Sequence, residues 1–323
     1  MKIGLIGSGG MGCELARRAV KISDVSFAAS YDTDMPRAEK IAQELGGKAC
    51  ESLDQLLDMV DAVIIASIPS VHREHCLAAV RAGRHVFCEK PFTIYAKESQ
   101  EVIDAAKQAG VKLMIGQVLR YIQPFAWILD KVRSGEIGPV LSVFVARLGG
   151  KSGVWNASWR GKHALCGGLL EEINAHELDF MRCAGGEVAG VTARLGNFHN
   201  PDIDFEDNAF VILRFQSGSL GLLHSSILCQ VGGYHGRVEG AEGDIVWDRV
   251  TDTLQWRKAW GETKTHKISE LGAGDPYLEE LEGFVEAART GAEPPVTGYD
   301  GMRAVALAEA ARLSSQLGRE VLV

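Results

Sequence analysis

The sequence predicts an α/β protein in two parts: a doubly wound parallel sheet, then an α/β domain with a mostly antiparallel open sheet. Three observations carry that reading. Over the first 120 residues or so, short apolar runs alternate with amphipathic stretches. A turn of spaced glycines joins the first such run to the first such stretch. From Val140 onward, strand-like pieces follow one another directly, separated by glycine and aspartate turns.

In order, KIGLIG, VSFAASYD, DAVIIAS, HVFCEK and VKLMIGQ read as strands. Runs such as the AVIIA of DAVIIAS are continuously apolar, as strands covered on both faces are, and the helical stretches between them imply βαβ units. LRYIQPFAWILDKVRSGEIGP is helical and stops where Gly135 to Pro139 supply glycine and proline. Then come VLSVFVARLG, GVTARLGNF, DNAFVILRF, GSLGLLHSSIL, YHGRVEGA, GDIVWD, DTLQWRK and TKTHKI, a succession that favours antiparallel pairing. One helix, GGLLEEINAHELDFMRCAGG, interrupts these strands, and DPYLEELEGFVEAARTG and GYDGMRAVALAEAARLSSQLG follow them. The expected division is 1–121 and 122–323, with a short hinge near residues 118 to 124.

Composition narrows the function classes. With 323 residues, 46% of them hydrophobic and 24% charged, the chain is long enough for two ordinary cores. A formal charge of -8 gives no basic footprint for nucleic acid or an anionic membrane, so neither is expected as a partner. The seven cysteines are scattered and form no C-x-x-C, which suggests a reducing compartment. MKIGLIGSGGMG has too short an apolar run for a signal peptide or a spanning helix, and the expected location is cytoplasmic. His72 and His75 are three apart but lack an acidic or cysteine partner at suitable spacing, so no metal is expected.

Gly7, Gly9 and Gly12 form G-x-G-x-x-G between a strand and a helix, and Asp32 ends the next strand. Gly7 allows the tight turn, Gly9 lets backbone approach a pyrophosphate, and Gly12 lets helix pack on strand. The helix start supplies N–H groups and partial positive charge, so Ser8, Gly10 and Met11 join the expected contacts. The pattern is that of a Rossmann dinucleotide site; a glycine turn without a ligand is the alternative. Asp32 would accept the ribose hydroxyls and repel a 2′-phosphate by roughly 4 kcal/mol at 4 Å and an effective dielectric near 20. NAD is therefore expected over NADP, although Arg37 stands close enough to neutralise a phosphate.

The stretch VFCEKPFTIYAKES carries an apolar strand straight into Glu89, Lys90 and Pro91. The carboxyl end of a parallel strand faces the crevice where such folds hold ligands, and Pro91 biases Lys90 away from helical geometry. A lysine becomes a base at neutral pH only where desolvation or neighbouring positive charge favours its neutral form. The alternative is a surface Glu–Lys pair. In GGLLEEINAHELDF, Glu172, His176 and Asp179 fall on one helical stripe, an arrangement able to bind vicinal hydroxyls and relay a proton. An amphipathic helix with a solvated polar face is the other reading.

Together with IPSVHREHCLAAVRAGRHVFCEKPF, SGEIG, WRGK, VEGAEGDIVWD and PPVTGYDGMRAVALA, these motifs resemble the glucose-fructose oxidoreductase and inositol dehydrogenase family of nicotinamide-dependent sugar and polyol dehydrogenases. The resemblance covers almost the whole chain. It implies a Rossmann domain and an α/β domain whose open sheet makes oligomer contacts, in a homodimer or homotetramer. It places the family's proton-transfer lysine on Lys90 and its histidine on His176, and it implies cofactor contacts from Ser67, Ile68, Pro69, His72, Glu89 and Lys90. The family usually has aspartate where this chain has Glu172, and glycine where it has Asn174, so the reaction class transfers more safely than the substrate.

The expected catalytic set is Lys90, His176 and Glu172. Asn174, Asp179, Arg120, Tyr121, Trp159, Arg160 and His163 are the expected substrate contacts, with Trp155 beside them. What the resemblance implies is hydride transfer between a secondary hydroxyl of a sugar, inositol or related polyol and NAD. A non-catalytic dinucleotide-binding sensor and a reductase of a non-sugar substrate are the alternatives.

Overall fold

Strands that are apolar at every position, such as Ala62–Ile65, are fully buried in the computed structural model, which describes residues 1–149, 159–272 and 274–323. The first stretch of chain runs β1 (Lys2–Ile6), α1 (Gly10–Ala19), β2 (Ser26–Tyr31), α2 (Met35–Leu45), β3 (Lys48–Ala49), α3 (Leu53–Leu57), β4 (Ala62–Ile65), α4 (His72–Arg81), β5 (His85–Glu89), α5 (Ala96–Ala109) and β6 (Leu113–Gly116). The remainder runs α6 (Phe125–Arg133), β7 (Val140–Leu148), α7 (His163–Cys166), α8 (Leu169–Glu172), α9 (Ala175–Gly185), β8 (Val188–Gly196), β9 (Asn208–Phe215), β10 (Leu220–Ser226), β11 (Gly233–Gly240), β12 (Gly243–Asp248), β13 (Thr253–Lys258), β14 (Lys264–Lys267), α10 (Pro276–Thr290), α11 (Gly298–Leu317) and β15 (Val321–Leu322). Contacts divide the chain into two units, Met1–Val118 with Asp275–Arg303, and Leu119–Gly274 with Ala304–Val323.

In the first unit six strands lie in the order β3-β2-β1-β4-β5-β6, all parallel. That order reverses between β1 and β4, the switch point at which doubly wound sheets bind ligands. The segment Asp275–Arg303, which the sequence division assigns to the second domain, packs with this unit. Arg18 Nε donates to both oxygens of Asp275 at 2.9 Å, Phe284 meets Phe87 edge-on at 5.8 Å, and the Ile115 N–H donates to the Val296 carbonyl at 3.2 Å.

The second unit holds a nine-stranded sheet, β14-β13-β12-β11-β7-β10-β9-β8-β15, antiparallel throughout except for β7 with β10. Period-two alternation decides its faces. On β9, Val211, Leu213 and Phe215 are buried, and the intervening Phe210 and Ile212 are exposed. The buried side meets Phe125 and Ile128 of α6, Leu178 and Met181 of α9, and Leu307 and Ala311 of α11 in one core. No helix among the described residues is long and apolar enough to cross a membrane.

The sequence reads residues 167 to 186 as one helix, and here the structure corrects it. Gly167 and Gly168 take φ of +86° and +100°, α8 follows for a single turn, and the helix breaks at Ile173 and Asn174 before α9 begins. Glu172 therefore ends one short helix, while His176 and Asp179 belong to the next. The expected three-residue stripe does not exist as a continuous helical face.

Candidate active site

Sterics shape the glycine turn. Gly7 has φ +94°, and a Cβ there would lie 2.5 Å from the Ser67 backbone nitrogen. A Cβ on Gly12 would lie 2.2 Å from the Gly7 carbonyl oxygen, so α1 could not pack this closely on β1 with any larger residue. At Gly9 and Gly10 a Cβ would meet nothing within 4 Å, which leaves open space at the start of α1, where no side chain caps the helix. Ser8 is buried, and its Oγ has no hydrogen-bond partner. Asp32 Oδ2 accepts the Ser8 N–H at 2.6 Å and Oδ1 accepts the Asp34 N–H at 2.8 Å, which holds the carboxylate against the turn. A cavity of about 580 Å³ opens here, lined by Ser8, Gly9, Gly10, Cys13, Arg17 and Arg37 among others, with Met11 exposed nearby. An open helix start, an acid at the adjacent strand end and an unsatisfied hydroxyl fit a dinucleotide: the turn for its pyrophosphate, Asp32 for its ribose.

Lys90 leaves β5 on a braced turn. Glu89, nearly buried, accepts the Lys90 N–H on Oε2 at 3.1 Å, and its carboxyl lies over Gly116, where a Cβ would come within 3.3 Å of Glu89 Cδ. The Lys90–Pro91 bond is cis, and Phe92 and Ile94 anchor the next residues in the core. His72 reaches the turn from behind: its Nδ1 lies 2.9 Å from the Pro91 carbonyl and its Nε2 3.0 Å from the Ser67 carbonyl. Ser67 Oγ lies 2.9 Å from His75 Nδ1. Ile68 precedes a single 3-10 turn that starts at the buried Pro69. The first unit thus brings Ser67, His72, Glu89 and Lys90 together at the carboxyl ends of β4 and β5.

The second unit gathers the remaining polar candidates into pairs. Glu172 Oε1 accepts from Arg160 Nε at 2.9 Å, and the Arg160 guanidinium lies over the Trp159 ring at 4.4 Å, so the cation covers an aromatic face expected to meet a sugar. Asp179, almost fully buried, takes Arg120 through Nε at 2.7 Å and Nη2 at 2.6 Å, a bidentate pair that withdraws both from the expected role of binding hydroxyls directly. Tyr121 follows a 3-10 turn at Val118–Arg120 and is partly buried. The His163 backbone N–H donates to Asp204 Oδ1 at 2.6 Å; burial, and then the Arg312 charge, lower the pKa of its ring. His176 is partly buried in the first turn of α9. Trp155 lies outside the described residues.

Sequence reasoning missed Glu177. Its buried carboxylate accepts Asn174 Nδ2 at 3.0 Å and the Tyr234 hydroxyl at 2.5 Å, with Arg147 Nη1 at 3.3 Å. Burial, reinforced by the Glu177 charge, pushes the Tyr234 hydroxyl well above its ordinary pKa and keeps it a donor. A signal was present: Asn174 is the residue before α9 and Glu177 its third residue, the N-cap-to-N3 spacing of a capping box. It fixes the Asn174 amide, which stands where the resembled family has glycine. Among the described residues no group of three or more His, Cys, Asp or Glu could hold a metal ion.

Comparison with known proteins identifies the family. The family model described as the oxidoreductase family with an NAD-binding Rossmann fold matches residues 1–117, and the one described as that family's C-terminal alpha/beta domain matches residues 130–323. A myo-inositol 2-dehydrogenase from Thermotoga maritima is 30% identical, with 99% of this chain and 98% of that protein aligned. An uncharacterized oxidoreductase of Streptococcus pneumoniae is 33% identical over 77% of this chain and 68% of its own. The structure of levoglucosan dehydrogenase in complex with NADH and levoglucosan shares the fold at a TM-score of 0.90 and 24% identity, covering 100% of this chain and 99% of that one. The chain belongs to the GFO/IDH/MocA family of oxidoreductases, with an NAD-binding Rossmann domain followed by the family's C-terminal α/β domain.

Proposed function

We propose that the protein transfers hydride between a secondary hydroxyl of a sugar, inositol or related polyol and NAD. The observation that carries this reading is the braced Lys90 turn at the carboxyl end of β5, tied to the Ser67 turn beside the glycines that fit a dinucleotide. NAD held by the turn at Gly7 to Gly12 and by Asp32 supplies the hydride acceptor. Lys90 takes the proton of the substrate hydroxyl, and His176 is the second proton-transfer group. Glu172, fixed by Arg160, and Asn174, fixed by Glu177, orient further hydroxyls. Names of relatives support the substrate class: an inositol 2-dehydrogenase of Rhizobium meliloti and a 1,5-anhydro-D-fructose reductase of Ensifer adhaerens align over 100% and 94% of this chain. The test is reduced-cofactor absorbance with NAD across a panel of inositols, aldoses and sugar phosphates. Tight binding of a polyol with no reduction by any member would favour a sensor and reject the enzyme.

Asp32 sets the coenzyme preference in this reading. Asp32→Ala is expected to raise NADP use relative to NAD, because it removes a charge that repels a 2′-phosphate. Steady-state ratios of kcat/KM for the two coenzymes check it, and an unchanged ratio removes this role from Asp32.

The partner we propose for the second unit's sheet is a second copy of the chain. Phe210 and Ile212 of β9 and Leu220 and Leu222 of β10 form an exposed apolar face, with Leu222 opposite Ile212 in register. Contiguous apolar surface of this kind marks an association site. Ile212→Lys with Leu222→Lys should turn a dimer or tetramer into a monomer in sedimentation velocity; a wild-type monomer at micromolar concentration sinks the proposal. The seven free cysteines support a cytoplasmic setting.

A further inference from the structure

Two loops of the first unit meet on one imidazole. His72 opens α4, is 1% exposed, and places each ring nitrogen about 3 Å from a backbone carbonyl, Ser67 on one side and Pro91 on the other. Carbonyl oxygens only accept. A neutral imidazole carries a single N–H, so it would satisfy one carbonyl and turn a lone pair toward the other; an imidazolium donates to both. A lone pair facing a carbonyl oxygen at this distance is unfavourable in so buried a place.

The next histidine of the helix has the complementary surroundings. His75 Nδ1 faces the Ser67 hydroxyl at 2.9 Å, a group that either donates or accepts, so a neutral ring suffices there. Burial, followed by the charge of His72, pushes its pKa down to about 4. The other charged groups nearby have partners: Arg73 of α4 binds Glu101 of α5 at 2.6 Å, and Glu89 at the end of β5 accepts the Lys90 N–H. Glu74, also on α4, is exposed.

We propose that His72 is a positioning residue held as an imidazolium, which pins the Lys90–Pro91 turn to the Ser67 turn and thereby fixes the backbone that presents the Lys90 amine. Its use to the enzyme rests on the reading of Lys90 as the proton-transfer group; its charge state does not. Ser67 in turn lies against Gly7, whose Cβ would strike it, so the pinned turns also border the dinucleotide turn. The pin acts through backbone atoms and needs no contact with substrate.

The first measurement is histidine-selective nitrogen-15 NMR of the wild-type protein between pH 7 and 8, with the His72 signal assigned by its loss in His72→Asn. Both His72 ring nitrogens are expected to be protonated, and a neutral tautomer overturns the proposal. The second uses the most active polyol of the panel. His72→Leu should lower kcat by about 10-fold or more with the Kd for NAD changed by less than about 3-fold, and His72→Asn, which keeps N–H donors, should retain more activity than His72→Leu. Weakened NAD binding with kcat preserved overturns the positioning role. If Lys90→Ala keeps its turnover, the Lys90 reading fails while the NMR result still stands or falls separately.

Discussion

Lys90→Ala should lower turnover by about 10²-fold or more, the usual contribution of a positioned acid–base group, while binding NAD much as the wild type does. The side chain is part of no apolar core, and the turn that carries it is held by other groups: Glu89 beneath, His72 behind, and Phe92 and Ile94 beyond. Truncation is therefore expected to change the fold little, so a loss of turnover would report the proposed proton transfer. Lys90→Arg separates two roles. Guanidinium keeps the positive charge but does not release its proton in this pH range, so a proton-transfer role predicts that the arginine variant is nearly as impaired as the alanine one. A purely electrostatic role predicts that arginine restores activity. Kinetics of cofactor reduction, with NAD affinity measured calorimetrically, decide between them, and near-normal turnover in Lys90→Ala rejects the assignment.

The parts of this site legible in the sequence are those fixed by local sterics. Only glycine tolerates the backbone at Gly7 and the approach of Gly12 to its carbonyl oxygen, so that turn announces itself. Strands buried on both faces show as unbroken apolar runs, and alternation such as NAFVILRF shows a sheet with one open face. What local pattern cannot carry is the choice of partner. The amphipathic helix α10 reads the same whichever core it joins, and only the contacts of Phe284 with Phe87 and Asp275 with Arg18 place it in the first unit. The periodicity of GGLLEEINAHELDF suits one helix; the positive φ of Gly167 and Gly168 sets the start of α8, and at the break before α9 Glu177 accepts from the Asn174 amide. Asp179 looks like a free acid until Arg120, 59 residues earlier, is found on both its oxygens.

A partner 141 residues away from Glu171 gives the largest expected loss of stability. Arg312 of α11 donates to both oxygens of Glu171 at 2.8 and 2.7 Å, to Glu206 at 3.1 Å and to the Gly167 carbonyl at 3.0 Å. Glu171 and Glu206 are both buried, and Arg312→Met would leave two carboxylates there with no countercharge, a loss of about 3–5 kcal/mol. That is a large share of the 5–15 kcal/mol typical of a folded domain. All six tryptophans lie between residues 127 and 260, so tryptophan fluorescence in a urea titration reports the second unit directly.

The pH dependence gives an independent check on the same cluster. Burial pushes the Glu171 carboxyl up to about 7 against the hydrogen bonds of Arg312, and the Glu206 charge adds to the rise. The folded state therefore holds a proton that the unfolded chain, titrating near 4.5, has released. The stability Glu171 contributes is present below about 4.5 and declines as pH rises to about 7. Without Arg312 the carboxyl holds its proton to still higher pH, so the loss caused by Arg312→Met should be greater at pH 8 than at pH 5. Arg312→Lys restores charge without the bidentate fork and should fall between the two. A loss below about 1 kcal/mol at pH 8 would show that the cluster is solvated in solution and does not hold the Gly167 turn. In the proposed reading the consequence reaches function, because Glu171 precedes Glu172 on α8: the arginine that neutralises one carboxylate also fixes the single helical turn that carries the other.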